Sequence, residues 1–146
     1  MKNDLEFGTD GIRGSVSEKE ISPEFALKLG VATGVTLKKS RETVDVVIGR
    51  DTRSSGDMLA SAFSSGLNQA GANVFNAGIM PSPAVAFLTK SIGANAGVVV
   101  SASHNMFRDN GFKFFSGSGK KIPELVEKKI QNSLKLDYVI DPCKLG

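Results

Sequence analysis

The sequence has little cysteine, histidine and tryptophan, and these absences exclude several kinds of site. Its 146 residues include one cysteine, one histidine and no tryptophan. Cys143 has no partner for an internal disulfide, and one cysteine with one histidine cannot assemble a zinc site. The opening residues, MKNDLEF, contain neither a basic segment followed by an apolar stretch nor a cleavage signal, so we expect a cytoplasmic protein. No apolar run approaches the roughly 20 residues that span a bilayer, so we expect no membrane contact.

The overall composition is that of one conventional globular domain. Hydrophobic residues make up 40% of the chain and charged residues 23%, so a packed core is expected and disorder is not. The formal net charge is +3, but the basic residues are scattered rather than grouped. Such a distribution fits an anionic small molecule or an ordinary solvated surface at least as well as nucleic acid, and no nucleic-acid partner is expected.

Hydrophobic periodicity predicts an alternation of strands and helices. Short β-branched runs predict buried strands, and apolar residues at helical spacing predict the helices between them. The strands fall at residues 44–48, 73–77 and 97–100, with helices at 22–39, 57–70 and 84–91. This β-α-β-α-β order predicts a three-layer α/β/α sandwich around a mixed, mainly parallel sheet. Residues 112–115 add a further strand or hairpin arm.

Local signals predict where several helices begin and end. Ser22 can cap a helix whose first residue is Pro23, and Ser82 before Pro83 repeats that signal. Gly71 can end the second helix. Pro123 opens a last helix, on which an apolar face recurs at helical spacing: Val126, Ile130 and Leu134. We expect residues 1–136 to form the domain and 137–146 to be a linker.

Three polar segments are candidates for chemistry. GRDTRSSG (49–56) follows one predicted strand, so two arginines and several amides meet a helix N-terminus and could hold an anion. SASHN (101–105) follows another strand and places a serine, an imidazole and an amide at the same edge of the sheet. FGTDGIRG (7–14) is a glycine-rich loop around one arginine. GRDTRSSG and SASHN could equally be ordinary turns, the first with capping residues and solvated arginines.

Common catalytic motifs do not match. Ser103 lacks the flanking glycines of the G-x-S-x-G elbow, and the one histidine, His104, is its neighbour, which argues against a Ser-His-Asp hydrolase. GSGK (117–120) resembles the end of a phosphate-binding loop, but the required first glycine falls on Phe114 and the final hydroxyl on Lys121. No complete metal site is encoded.

Five segments together resemble the α-D-phosphohexomutase family: EFGTDGIRG, VVIGRDTRSSG, MPSPAVAFLT, AGVVVSASHN and DNGFKFFSGSGKKI. They occur in that family's order and spacing and cover essentially the whole chain, with the greatest likeness to members that act on glucosamine phosphate. The resemblance implies the family's first domain and its reaction, the interconversion of 6-phospho and 1-phospho sugars through a 1,6-bisphosphate. The product of the glucosamine branch feeds UDP-N-acetylglucosamine and cell-wall synthesis.

The resemblance also implies roles for individual residues. Ser103 matches the serine that is phosphorylated in the resting enzyme and gives its phosphoryl group to the sugar. His104 and Asn105 match neighbours that orient phosphate or substrate. Lys113 matches a lysine that moves protons on and off the sugar hydroxyl, and Arg13 matches an arginine that contacts the transferring phosphate.

A second set of implied features concerns the metal and the loops around the site. In the family, a phosphate oxygen on the residue matching Ser103 is a ligand of Mg²⁺, whose aspartate ligands come from a later domain. Arg50 and Asp51 match a segment for which we favour a structural role in holding the active-site loops, with phosphate binding by Arg50 as the alternative. Met106 replaces the family's usual proline, so the catalytic loop is expected to be looser. Arg108 adds a cation near the serine.

The family's later domains, with the sugar-recognition and C-terminal phosphate-binding loops, have no counterpart in this sequence. We therefore expect the phosphosugar substrate, glucosamine 1,6-bisphosphate and the remaining domains of the same enzyme as partners, and negligible turnover by this chain alone. A phosphomannomutase or phosphoglucomutase domain remains an alternative. So do a non-catalytic anion-binding module and, with less support, a nucleic-acid binder.

Overall fold

The computed structural model describes residues 6–17, 20–38 and 43–146. The predicted helical residue Lys39 lies outside these ranges. The described strands are β1 (Ile12–Ser15), β2 (Asp45–Arg50), β3 (Asn73–Ile79), β4 (Ala96–Val100) and β5 (Asp109–Ser116). The described helices are α1 (Pro23–Lys38), α2 (Gly56–Gln69), α3 (Ser82–Ser91) and α4 (Glu124–Ser133). None of the helices in the described part of the chain is both long and apolar enough to cross a bilayer.

The strands form one mixed sheet in the order β1-β5-β4-β2-β3. β2 pairs in parallel with β3 and with β4, while β5 pairs antiparallel with both β4 and β1. Four strands therefore run in one direction and β5 runs against them, which confirms the mixed, mainly parallel sheet. Because β2 and β4 are parallel neighbours, the loops that follow them meet at the same edge of the sheet.

Helices cover both faces of the sheet, as the α/β/α prediction requires. On one face, α1 and α2 cover the main core, in which Phe63, Phe112 and Phe114 are fully or almost fully buried. The two helices approach closely at Gly30 and Gly66, where an added Cβ would collide with the backbone of the facing helix. On the other face, α3 packs Val85 against Val47 and Val99. The continuous burial of β2 and β4 follows from this sandwich, because helices cover both faces of these strands.

Most predicted helix boundaries are confirmed. The Phe25 N–H donates to Ser22 Oγ at 3.1 Å, so Ser22 caps α1 at Pro23. Gly71, just after α2, has a positive φ of 80°. Helices commonly end at a glycine in this left-handed conformation. The prediction that Ser82 caps α3 is wrong. Pro81 occupies the cap, and its carbonyl accepts the Ala84 N–H at 2.9 Å, so Ser82 is already helical.

The segment 7–14 was predicted to be a loop, and this prediction is wrong in its second half. Ile12–Ser15 is a strand, in register with β5 through the pairs Ile12↔Phe112 and Ser15↔Asp109. Its pairing continues beyond the strand, because the Val16 N–H donates to the Arg108 carbonyl at 3.0 Å. β1 thus ties the first loop to the start of β5, directly beside the loop that follows β4.

Candidate active site at the carboxyl edge of the sheet

Two loops meet beyond the carboxyl ends of β2 and β4. The Asp51 N–H donates to the Val100 carbonyl at 3.1 Å, so the loop after β2 stays attached to the end of β4. The Ser101 N–H donates to the Gly111 carbonyl at 3.0 Å, which holds the loop after β4 against β5. The segments GRDTRSSG and SASHN therefore lie side by side at this end of the sheet, as their positions after parallel strands predict.

Ser103 is exposed at this edge in a conformation that few residues adopt. Its φ is 51°, the single positive value recorded for a non-glycine residue in the described ranges. A left-handed backbone costs an L-residue roughly 1–2 kcal/mol, so the surroundings must hold it. The Ser103 N–H donates to Ser101 Oγ at 3.0 Å, and Ser101 Oγ donates to Asp51 Oδ2 at 2.7 Å. This relay links the strained serine to the loop after β2.

Arg13 on β1 reaches the hydroxyl of Ser103. Its Nη2 donates to Ser103 Oγ at 3.4 Å and lies 3.5 Å from Asp10 Oδ2. Its Nε is buried and has no hydrogen-bond partner within the described ranges. A guanidinium nitrogen beside an exposed hydroxyl, here Arg13 Nη2, is suited to bind an anion carried on that oxygen. The structure thus brings together two of the residues predicted for the site.

Arg53 holds the loop after β4, a role that the sequence did not reveal. Its Nη1 donates to the carbonyls of Met106 at 2.6 Å and Asp109 at 3.2 Å. Its Nη2 donates to the carbonyls of Ser103 and Asn105, both at 3.0 Å. Its Nε donates to Asp51 Oδ2 at 3.0 Å, and the Arg53 side chain is 12% exposed. Four backbone carbonyls of a seven-residue segment thus converge on one guanidinium.

The other predicted residues of this loop differ in how they are held. Asn105 Nδ2 donates to Asp109 Oδ2 at 3.1 Å, and the Asn105 N–H donates to the Ala102 carbonyl at 3.0 Å. Asn105 therefore closes the loop on itself. His104 is exposed and makes no hydrogen bond within the described ranges, so its imidazole is open to an incoming ligand.

Arg50 points along the loop toward the start of α2. Its Nε lies 3.5 Å from Asp57 Oδ1, and its Nη1 donates to the Asp51 carbonyl at 3.3 Å. Both contacts are internal to the loop after β2 and the helix that follows it. This geometry is consistent with the expected structural role of Arg50, while phosphate binding by Arg50 stays a prediction.

Lys113 lies on β5 opposite Val99, on the face of the sheet away from the main core. It lines a cavity of about 200 Å³ together with the turn formed by residues 8–11. That turn is closed by the Gly8 N–H, which donates to the Gly11 carbonyl at 2.8 Å, and Gly11 has a φ of 96°. Asp10 in this turn also pairs with Arg13, so the turn connects the cavity of Lys113 to the residue that reaches Ser103.

The described residues include no cluster of three or more His, Cys, Asp or Glu side chains able to hold a metal ion. At the site itself, Asp10 and Asp51 are engaged by Arg13 and Arg53. The oxygen that a hard cation such as Mg²⁺ could share is Ser103 Oγ, or a phosphate carried on it. Ser103 Oγ, or a phosphate on it, could thus supply one ligand of a magnesium site, and the other ligands would have to come from outside the described residues.

Comparison with known proteins identifies the family to which the chain belongs. Residues 4–138 match the family model for the phosphoglucomutase/phosphomannomutase alpha/beta/alpha domain I. A phosphoglucosamine mutase from Acinetobacter baumannii strain ATCC 17978 is 50% identical over 143 residues, covering 96% of this chain and 32% of that protein. The phosphoglucosamine mutase of Carboxydothermus hydrogenoformans is 52% identical over 125 residues, covering 86% of this chain and 28% of that protein.

A solved structure supports the fold. The phosphoglucomutase/phosphomannomutase family protein of Burkholderia thailandensis superposes with a TM-score of 0.77 at 26% identity, covering 92% of this chain and 30% of that one. The chain thus spans about a third of the length of the relatives it matches. The chain therefore belongs to the phosphoglucomutase/phosphomannomutase family, and what it contains is that family's first α/β/α domain.

Proposed function

We propose that this domain is the phosphoryl-carrying part of a phosphoglucosamine mutase, with Ser103 as the residue that is phosphorylated. The observation that carries the proposal is the arrangement of Ser103 and Arg13. The serine hydroxyl is exposed on a strained backbone, and Arg13 Nη2 lies 3.4 Å from it while Arg13 Nε lacks a partner within the described ranges. A phosphate on Ser103 Oγ would supply the anion that this guanidinium is oriented to bind.

The proposed reaction is a reversible phosphoryl transfer between Ser103 and the sugar. The bond between phosphorus and Ser103 Oγ breaks as a bond forms between phosphorus and a sugar hydroxyl oxygen, giving glucosamine 1,6-bisphosphate. The hydroxyl proton goes to Lys113 Nζ, which acts as the general base, and Ser103 Oγ keeps the electron pair, stabilised by Arg13. In the second step Ser103 Oγ attacks the other phosphoryl group, and the departing sugar oxygen recovers the proton from Lys113.

The remaining predicted residues position the reactants. The exposed imidazole of His104 binds substrate phosphate or sugar beside Ser103. Asn105 orients the loop through its bond to Asp109. Phosphoryl transfer depends mainly on alignment and on neutralising the charge spread over the phosphoryl oxygens, which suits a site built from Arg13 and a loop held by Arg53.

Mg²⁺ is the proposed metal, and a phosphate oxygen on Ser103 together with carboxylates of another domain would hold it. When bound, it neutralises charge on the phosphoryl group. Since the chain covers about a third of the length of its relatives, we propose that this domain alone does not convert substrate. In the whole enzyme, the cytoplasmic product glucosamine 1-phosphate would supply UDP-N-acetylglucosamine synthesis.

A domain exchange tests this function. Residues 4–138 replace the matching segment of the Acinetobacter baumannii phosphoglucosamine mutase, and conversion of glucosamine 6-phosphate is measured with Mg²⁺. We expect the chimera to be active, the same chimera with Ser103→Ala to be inactive, and the 146-residue chain by itself to be inactive. A second chimera, built on the Burkholderia thailandensis family protein and assayed with glucose and mannose phosphates, tests the alternative sugars.

Two results would contradict the proposal. Turnover by the Ser103→Ala chimera at the rate of the unsubstituted chimera would remove Ser103 from the reaction. Activity restored with the Burkholderia domains but absent with the Acinetobacter domains would move the assignment to a glucose or mannose phosphate mutase.

A further inference from the structure

The Arg53 guanidinium is bound entirely within the protein, which separates its task from that of Arg13. All three of its nitrogens are engaged: Nε by Asp51, and the two terminal nitrogens by four loop carbonyls. Its charge is balanced by the Asp51 carboxylate at 3.0 Å, and its side chain is 12% exposed. Arg53 therefore has no free donor for substrate and acts on the site through the backbone that it holds.

The hydrogen bonds that Arg53 donates help to fix the strained backbone of Ser103. Ser103 is held on its amino side by Ser101 Oγ, which accepts the Ser103 N–H at 3.0 Å. It is held on its carboxyl side by Arg53 Nη2, which donates to the Ser103 carbonyl at 3.0 Å. Both contacts lead to Asp51, because its Oδ2 accepts from Ser101 Oγ and from Arg53 Nε. A single carboxylate thus anchors both peptide groups that define the left-handed φ of Ser103.

The same hydrogen bonds set the directions in which the carbonyl and N–H groups of the loop point. The peptide bonds are trans, so each N–H points opposite to the carbonyl that precedes it. The carbonyls of Ser103, Asn105 and Met106 turn toward Arg53, so the following N–H groups turn away from it. These N–H groups belong to His104, Met106 and Phe107, and none has a partner within the described ranges. The loop therefore presents these carbonyl oxygens to Arg53 and leaves the three N–H groups available to bind an anion.

We propose that Arg53, anchored by Asp51, is a positioning residue for the phosphoryl-carrying serine: it holds the Ser103–Asp109 loop so that Ser103 Oγ meets Arg13. The inference rests on the proposed function of Ser103 for its effect on the rate, but its structural part stands apart from any activity. Lysine cannot replace Arg53, because one ammonium lacks the planar fork that reaches four carbonyls and a carboxylate together.

The structural part is tested by amide hydrogen exchange on the 146-residue chain. Wild type is compared with Arg53→Ala, Arg53→Lys and the matched control Arg108→Ala, which removes an exposed arginine from the same loop. We expect the amides of Asn105 and Asp109, which are bonded inside the loop, to exchange about tenfold faster in both Arg53 variants. The Arg108 control should leave them unchanged. Unaltered exchange in both Arg53 variants would overturn the proposal.

The effect on the reaction is tested in the Acinetobacter chimera. We expect Arg53→Ala to lower kcat by about 100-fold with KM within about threefold, because the loss is one of alignment. Added methylguanidinium should restore part of this kcat, whereas it should do nothing for Ser103→Ala. If Arg53→Ala does not fold, kcat and KM are measured on Arg53→Lys instead, since this variant keeps a cation beside Asp51.

The outcomes separate this proposal from the function on which it rests. A wild-type kcat in Arg53→Lys, or a loss confined to KM, would overturn the positioning role. An inactive wild-type chimera would overturn the proposed function, and the exchange measurement would still decide whether Arg53 holds the loop.

Discussion

The left-handed backbone of Ser103 predicts that two substitutions with the same chemical effect have different effects on stability. Ser103→Ala and Ser103→Gly both remove the hydroxyl, so both should prevent phosphorylation. At a φ of 51°, however, alanine keeps the steric cost of an L-residue, whereas glycine does not. We therefore expect Ser103→Gly to be the more stable of the two proteins.

The size of the difference follows from two opposing contributions. Left-handed backbone costs alanine roughly 1–2 kcal/mol, and glycine loses about 0.4–1 kcal/mol more chain entropy on folding. Ser103 is exposed, so neither variant creates a cavity, and the N–H bond to Ser101 Oγ is available to both. With the middle of each range, the net advantage of glycine is about 0.8 kcal/mol, which corresponds to about 2–3 °C in Tm for a chain of this size.

Thermal and urea unfolding of the 146-residue chain measure this difference. The control is the same pair of substitutions at Ser61, an exposed position in α2 with ordinary helical backbone. There the order should reverse, with alanine more stable than glycine by about 1 kcal/mol. Equal stability at position 103, or an advantage for alanine, would refute the argument that the serine backbone is strained.

Three further predictions concern the groups around the site and the fold. Asp51→Asn should lower the free energy of unfolding by about 1–2 kcal/mol in urea titrations, because the Asp51 side chain is 31% exposed and accepts hydrogen bonds from Arg53 and Ser101. The control Asp57→Asn, at a side chain that is 79% exposed, should change the free energy of unfolding by less than about 0.5 kcal/mol. Equal effects of the two substitutions would contradict the role of Asp51 in holding the loops. Gly66→Ala should cost about 1–3 kcal/mol by the same measurement, since the added Cβ meets the backbone of α1, and a neutral effect would mean that the two helices can separate freely. The Cys143 N–H and the Lys144 ammonium lower the pKa of Asp141 below its ordinary value of 3.8, so the contribution of this carboxylate to stability is present above that pH and is lost as the pH falls through its lowered pKa. An NMR titration of Asp141 that gave a midpoint at or above the value in the urea-unfolded chain would contradict that direction.

Much of the fold could be predicted because its signals are local. Ser22 with Pro23 marks the start of α1, and the apolar runs of β2 and β4 are short, β-branched and buried on both faces. β1 gave no such signal, because its sequence IRGS contains one apolar residue. It is a strand because it pairs with β5, almost a hundred residues further along the chain. Tertiary pairing of this kind overrides local propensity.

The site shows the same division between local and long-range information. The pattern of strands predicted that SASHN and GRDTRSSG would share an edge of the sheet, because both follow parallel strands. The task of Arg53 could not be read in the same way. Its four carbonyl partners lie 50 or more residues away, and no side-chain type at those positions is required to accept the bonds. The strain at Ser103 is likewise invisible in the sequence, since serine is not a residue that signals positive φ.

The central claim is that Ser103 carries the phosphoryl group, and phosphopeptide mapping tests it most directly. Wild type and Ser103→Ala, each within the Acinetobacter chimera, are incubated with glucosamine 1,6-bisphosphate and Mg²⁺ and digested, with the unmodified Acinetobacter enzyme as the positive control. Phosphate on the peptide containing Ser103 in wild type, and none in Ser103→Ala, is the predicted result. Phosphate on another residue, or an unlabelled wild-type chimera beside a labelled control, would contradict the account.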